Sequence, residues 1–192
     1  MKKFEVPIEV SARHIHLSED DQKKLFGNKI ELGVKNNVSQ PGQFAANETV
    51  KIIGPKGNLN VRIVGPQRTQ TQLEISVTDS YILGIEVPPV RVSGDLKNTP
   101  GGLTIKGPIG QIKLQSGIIV AQRHLHIEPQ KAIEFNIKNG DLVNIQVDSS
   151  RSIIYKNVIV RSKDNVDNLS FQVDTDEANA GYIKTGDKGC II

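Results

Sequence analysis

The sequence predicts a mainly β protein with short helices, arranged as two similar small β-barrel domains from an internal duplication. Three observations carry that prediction. Aromatic residues make up only 4% of the 192-residue chain and Trp is absent, while Val, Ile, Gly and Pro are plentiful; such a composition suits short β-branched strands joined by turns better than a helical bundle. Several short stretches alternate apolar and polar residues, the period of a half-buried strand. The four histidines fall as two Arg-His-x-His runs in matching contexts, VSARHIHLS in the first half and VAQRHLHI in the second.

In the first half, Val6, Ile8, Val10 and Ala12 alternate into His14 and His16, which predicts a strand. Ser18 then offers an N-cap, and Glu19, Asp20 and Asp21 place negative charge in a first helical turn, so a short helix follows to about Phe26. VKIIGPKGNLNVRIV reads as a hairpin turning at Gly57 and Asn58. QLEISVTDSYILGI (72–85) is a strand running into a helix, with Asp79 as its candidate N-cap. Residues 91–110, dense in Gly and Pro, read as a linker.

The second half repeats the plan. GIIVAQRHLHI alternates into His124 and His126, and Pro129 suits the first turn of a short helix. IKNGDLVNIQV and SIIYKNVIVRS supply hairpin strands, with Asn139 and Gly140 as turn residues, and LSFQVDTDEANAGYI (169–183) ends as a strand entering a helix at Asp174 or Thr175. The expected boundaries are a first domain over 1–90, the linker over 91–110 and a second domain over 111–192.

A net charge of +3, without a basic run or interleaved aromatics, argues against a nucleic-acid partner. No stretch approaches the roughly 20 apolar residues that cross a bilayer. The single cysteine, Cys190, cannot form an internal disulfide, and the N-terminus has no apolar signal segment, so a cytoplasmic location is expected. Cys190 reads as an inert thiol in a soft tail.

Two imidazoles at i and i+2 of a strand point the same way with Cα atoms roughly 6.6 Å apart, and can close on one metal ion. Zinc usually takes three or four protein ligands, so each pair needs help; the alternative is half-buried histidines with no metal. Equivalent strands should supply equivalent ligands. Glu74 is the candidate in the first half, flanked by Leu73 and Ile75, unless it is a solvent-facing carboxylate. Its counterpart is Gln172, flanked by Phe171 and Val173, and a neutral amide is the poorer zinc ligand. Arg68 is either a bidentate holder of phosphate or carboxylate, or an exposed surface arginine. Arg13 and Arg123 alternate with the histidines and so point away from them, as ion-pair partners.

Six stretches, VSARHIHLS, SQPGQFAA, GPQRTQTQLEISVTD, SGDLKNTPGGLTIKGPIG, GIIVAQRHLHI and DTDEANAG, together closely resemble the phosphate propanoyltransferase family. These are the phosphotransacylases of bacterial microcompartments and their cytosolic relatives, and the resemblance runs in order from about residue 6 to 187. It implies a pair of β-barrels capped by short helices, with a two-zinc active site where they meet. The implied reaction is short-chain acyl-CoA plus phosphate to acyl phosphate plus CoA. By position, His14, His16 and Glu74 resemble the ligands of one zinc, His124 and His126 two of the three histidine ligands of the other, and Arg68 the family's phosphate-binding arginine.

The departure is Gln172, where family members usually have histidine. It would be a weak ligand, leaving the second zinc loosely held or missing. The alternative function is therefore a non-catalytic metal- or CoA-binding relative. The chain also begins at its first strand, without the extension that targets shell-enclosed members, so the resemblance implies a cytosolic version. The Gly-rich stretch 101–110 could approach the CoA arm, with Lys97 or Lys106 near its phosphates, or be an ordinary linker. Exposed strand edges suit a homo-oligomer.

Overall fold

The computed structural model describes residues 4–28, 31–163 and 168–192. In chain order it contains β1 (Phe4–Ser11), β2 (His14–His16), α1 (Glu19–Phe26), β3 (Val34–Asn37), β4 (Phe44–Ile53), β5 (Asn58–Gly65), β6 (Gln72–Glu74), α2 (Val77–Leu83), β7 (Val90–Arg91), β8 (Thr104–Lys106), β9 (Gln111–Lys113), β10 (Ile118–Ala121), β11 (His124–His126), α3 (Pro129–Glu134), β12 (Leu142–Val147), β13 (Ile153–Arg161), β14 (Ser170–Asp174), α4 (Thr175–Ala180) and β15 (Lys188–Ile191). This is the mainly β fold with short helices that the alternation predicts. Among the described residues no helix is long and apolar enough to cross a membrane.

The chain forms two compact units. One is a closed barrel in the order β1, β14, β11, β13, β12, β15. Its core gathers Val6, Ile8, Leu125, Ile145, Tyr155 and Phe171 among others, the inward halves of the alternating strands. The other is a nine-stranded sheet ordered β7, β10, β6, β2, β5, β4, β8, β9, with β3 against β4. It is packed around Ile15, Leu25, Ile52, Ile63, Leu73 and Ile105.

The units do not follow the expected boundaries. The barrel takes the segment ending at Ala12, residues 39–41 and everything from Gln122 onward, while the open sheet takes Arg13–Val38 and Gly42–Ala121. The cause is a reciprocal exchange. β1 leads into the first His-x-His but pairs in parallel with β14 of the second half, and β10 leads into the second but pairs in parallel with β6 of the first. The expected linker is also folded: β8 within it pairs with β4 and β9, its glycines serving the turns between strands.

Helix starts follow the capping rules closely. Ser18 caps α1 by accepting from the Asp21 amide, and Asp174 caps α4. Asp79 is not the cap of α2: Ser76 is, and Asp79 at the third helical position closes a capping box with it. Cys190 lies not in a soft tail but on β15, which is paired on both sides, opposite Glu5 of β1 and Gln146 of β12.

Candidate active site

Strand register assembles the first histidine pair into a site. β2 runs antiparallel to β6 with His14 opposite Glu74, Ile15 opposite Leu73 and His16 opposite Gln72. Cross-strand partners share a face, as do residues two apart. Ile15 and Leu73 are fully buried in the core, so His14, His16, Glu74 and Gln72 form a two-by-two patch on the opposite face.

The side chains of this patch converge. His14 Nε2 lies 3.6 Å from Glu74 Oε2, the two imidazole rings stand edge to face with centroids 5.0 Å apart, and one ligand atom from each of His14, His16 and Glu74 falls within 4.8 Å of the others. Among the described residues, this is the one such group of three His, Cys, Asp or Glu side chains. His16 Nδ1 donates to the Val64 carbonyl at 2.9 Å, which leaves Nε2 of the neutral ring as a lone-pair donor. Burial, helped by the charges of His14 and Arg68, lowers the His16 pKa to about 3, so the ring is neutral at physiological pH. Burial alone would push Glu74 up, but His14, His16 and the Ser93 hydroxyl outweigh it and hold the carboxyl well below its usual range. Imidazole nitrogens from two histidines and an ionised carboxylate are a ligand set zinc accepts.

Arg68 is tied to the same cluster. Its Nη1 donates to Gln72 Oε1 at 3.1 Å and to Ser93 Oγ at 3.2 Å. Gln72 Nε2 donates to Glu74 Oε1 and to Ser93 Oγ, and Ser93 Oγ donates to Glu74 Oε1 at 2.8 Å. The Gly94 amide donates to Gln72 Oε1 at 2.9 Å. A backbone N–H can only donate and a carboxylate can only accept, so these neighbours determine which way the Gln72 amide faces. Gln72 and Ser93 were not expected. Gln72 had a signal, since it sits two residues before Glu74 on an alternating strand; Ser93, just past β7 in irregular chain, had none. Lys106 lies exposed on β8, three strands from β2.

The second histidine pair repeats the geometry. β11 runs antiparallel to β14 with His124 opposite Gln172 and His126 opposite Ser170, and with Leu125 opposite Phe171 in the core. Gln172 is thus the register equivalent of Glu74, as the duplication implied. His124 Nδ1 donates to the Gln122 carbonyl at 2.8 Å, and the two Nε2 atoms stand 3.0 Å apart. Burial, with Arg161 and Lys163, lowers the His126 pKa to about 3. Gln172 Nε2 donates to Glu9 Oε2 at 2.7 Å and lies within hydrogen-bond distance of Ser39 Oγ and Gln40 Oε1.

The arginine before each histidine pair plays the expected part. Arg13 pairs with Asp79 at 2.6 Å and Arg123 with Glu177 at 3.1 Å. Both carboxylates occupy the third position of a capped helix, α2 and α4. Each arginine therefore ties a histidine strand to the helix that follows the ligand strand.

Comparison with known proteins identifies the family of the chain. The sequence model of the family described as phosphate propanoyltransferase matches residues 7–184. A phosphate propanoyltransferase of Thermotoga maritima is 48% identical over 95% of this chain and 87% of its own length, and one of Priestia megaterium is 49% identical over 97% and 85%. One of Salmonella typhimurium is 44% identical over 94% of this chain and 85% of its own length. With a match that spans both histidine patches and Arg68, the chain belongs to the phosphate propanoyltransferase family, a family of phosphate acyltransferases.

Proposed function

We propose that this protein interconverts short-chain acyl-CoA plus phosphate with acyl phosphate plus CoA, using a zinc ion held by His14, His16 and Glu74 and phosphate held by Arg68. The observation that carries the reading is the convergence of those three ligand atoms within 4.8 Å, on a cluster to which the Arg68 guanidinium is hydrogen-bonded through Gln72 and Ser93. Zinc at this cluster would supply Lewis acidity toward the thioester carbonyl. Arg68, always charged, binds the phosphate dianion and aims one of its oxygens. That oxygen forms a bond to the acyl carbon, the C–S bond breaks, and the sulfur leaves as CoA thiolate. No covalent enzyme intermediate is required, and because phosphate is already an anion at neutral pH, orientation matters more than a strong general base.

A second reading is favoured by one observation: Gln172 stands where the repeat places Glu74. On that reading the protein is a metal- or CoA-binding relative without turnover. Zinc per chain, measured on tag-free protein, together with CoA release from acetyl-CoA and propanoyl-CoA in phosphate, separates the two. Bound zinc with phosphate-dependent CoA release supports the acyltransferase. Bound zinc without turnover supports the binding protein, and no zinc with no turnover after zinc is added overturns the first reading.

A further inference from the structure

The second histidine patch has two features that the first lacks. The Ser170 hydroxyl, 4% exposed and opposite His126, is buried with no hydrogen-bond partner among the described residues. And the Gln172 amide is held from one side only. In the barrel the row runs Glu9 on β1, Gln172 on β14, His124 on β11, all in register. Register partners share a face, so Gln172 stands between the carboxylate and the histidine.

The chemistry of that row dictates how the amide faces. A carboxylate only accepts hydrogen bonds, so Nε2 must point to Glu9, where the donor–acceptor distance is 2.7 Å. Gln40 Oε1 at 3.1 Å reinforces the choice, since a flipped amide would set oxygen against two oxygens. Glu9 is itself anchored, accepting from Ser39 Oγ, which in turn accepts from Gln40 Nε2 at 2.7 Å. With the hydrogen bonds of the Gln172 amide made through Nε2, Oε1 is left available as a ligand atom on a residue whose register partner is His124. A carboxylate that accepts from a metal-ligating histidine fixes the ring and raises its basicity; a carboxylate accepting from an amide N–H does the same for the amide oxygen.

We propose that Glu9 is a positioning residue that turns Gln172 into a working substitute for histidine, so that His124, His126 and the Gln172 oxygen hold a second zinc, with the Ser170 hydroxyl beside it. The inference rests on the metal reading proposed above. The test is zinc titration of metal-free, tag-free protein against a chromophoric chelator, for wild type, Glu9→Gln, Gln172→His and the double variant, with thermal melting to show that each folds. Wild type should take two zinc ions, one tighter than the other. Glu9→Gln should loosen the weaker one by roughly 10- to 100-fold and leave the tighter one alone, since a glutamine there can pair with either face of the Gln172 amide. In the Gln172→His background the Glu9 change should matter less.

A Glu9→Gln variant with both affinities unchanged overturns the proposal. So does a wild type that takes one zinc while Gln172→His takes two, which leaves the reading of the first site standing. If neither protein takes zinc at all, the metal reading itself fails, and this inference with it.

Discussion

Removing the arginine before each histidine pair should cost very different amounts, although the two ion pairs are equivalent in the repeat. Asp79 is 1% exposed and takes both Nη2 and Nε of Arg13 on Oδ1, at 2.6 and 2.8 Å. Arg13→Ala therefore strands a buried charge, a loss of about 3–5 kcal/mol for a fully buried pair. The Arg13 side chain is 36% exposed, so solvent screening brings the expectation to about 2–3 kcal/mol. Arg123 and Glu177 are 35% and 23% exposed and 3.1 Å apart. Burial also raises the Glu177 pKa to about 7, so near neutrality the carboxyl is charged only about half the time and the loss falls to about 1 kcal/mol. Urea denaturation at pH 7, followed by circular dichroism, measures both. Adding Asp79→Asn to Arg13→Ala should recover most of the loss, because the stranded charge is gone while the amide oxygen can still accept from the Ser76 N–H and keep the capping box. If Arg123→Ala costs as much as Arg13→Ala, or if Asp79→Asn deepens the Arg13→Ala defect, the reasoning is refuted.

The charges and contacts around Glu177, Arg68 and Ser93 set three further expectations. A carboxyl raised from 4.5 to about 7 in the folded chain favours folding while protonated, so this contribution is whole below about pH 4.5 and lost as pH rises through 7; Glu177→Gln should flatten that part of the curve of melting temperature against pH. Arg68→Lys keeps the charge but loses the fork, and kcat/KM for phosphate should fall roughly 10- to 100-fold, the worth of about 1.5–3 kcal/mol for one charged hydrogen bond, with KM for acyl-CoA little changed. Ser93→Ala removes a donor from Glu74 and should weaken zinc binding at the first site roughly 10-fold or more in the chelator titration, with the melting temperature nearly unmoved.

The histidine patches were legible because strand periodicity puts His14 with His16 and His124 with His126 on one face whatever the tertiary fold, and the repeat then points to Glu74 and Gln172. The caps at Ser18 and Asp174 were legible for the same local reason. What stayed hidden depends on which strand lies beside which. Alternation shows that Val6 and Ile8 face a core, yet nothing in it says that the core belongs to the other half. The domain boundaries and the pairing of the Cys190 strand with β1 turn on that exchange, and the folding of 91–110 on β8 lying between β4 and β9. Glu9 was hidden likewise: it reads as an outward polar residue until β14 is placed next to β1, and Ser93 reaches Glu74 from a segment with no period.

The reciprocal exchange of β1 and β10 bears on how such a chain arises and how it can change. Two unfused copies of the repeat, each lending its leading strand to the other, would make a strand-swapped homodimer, and fusion would turn that dimer into one gene. Severing the chain within 91–110 should then give fragments that recover structure only when mixed, since each holds a strand the other sheet needs. Fusion also frees the copies from identity. A symmetric dimer must carry any substitution twice, whereas a fused one can let one patch drift to Gln172 while its twin keeps Glu74, and a compensating Glu9 needs to appear only once.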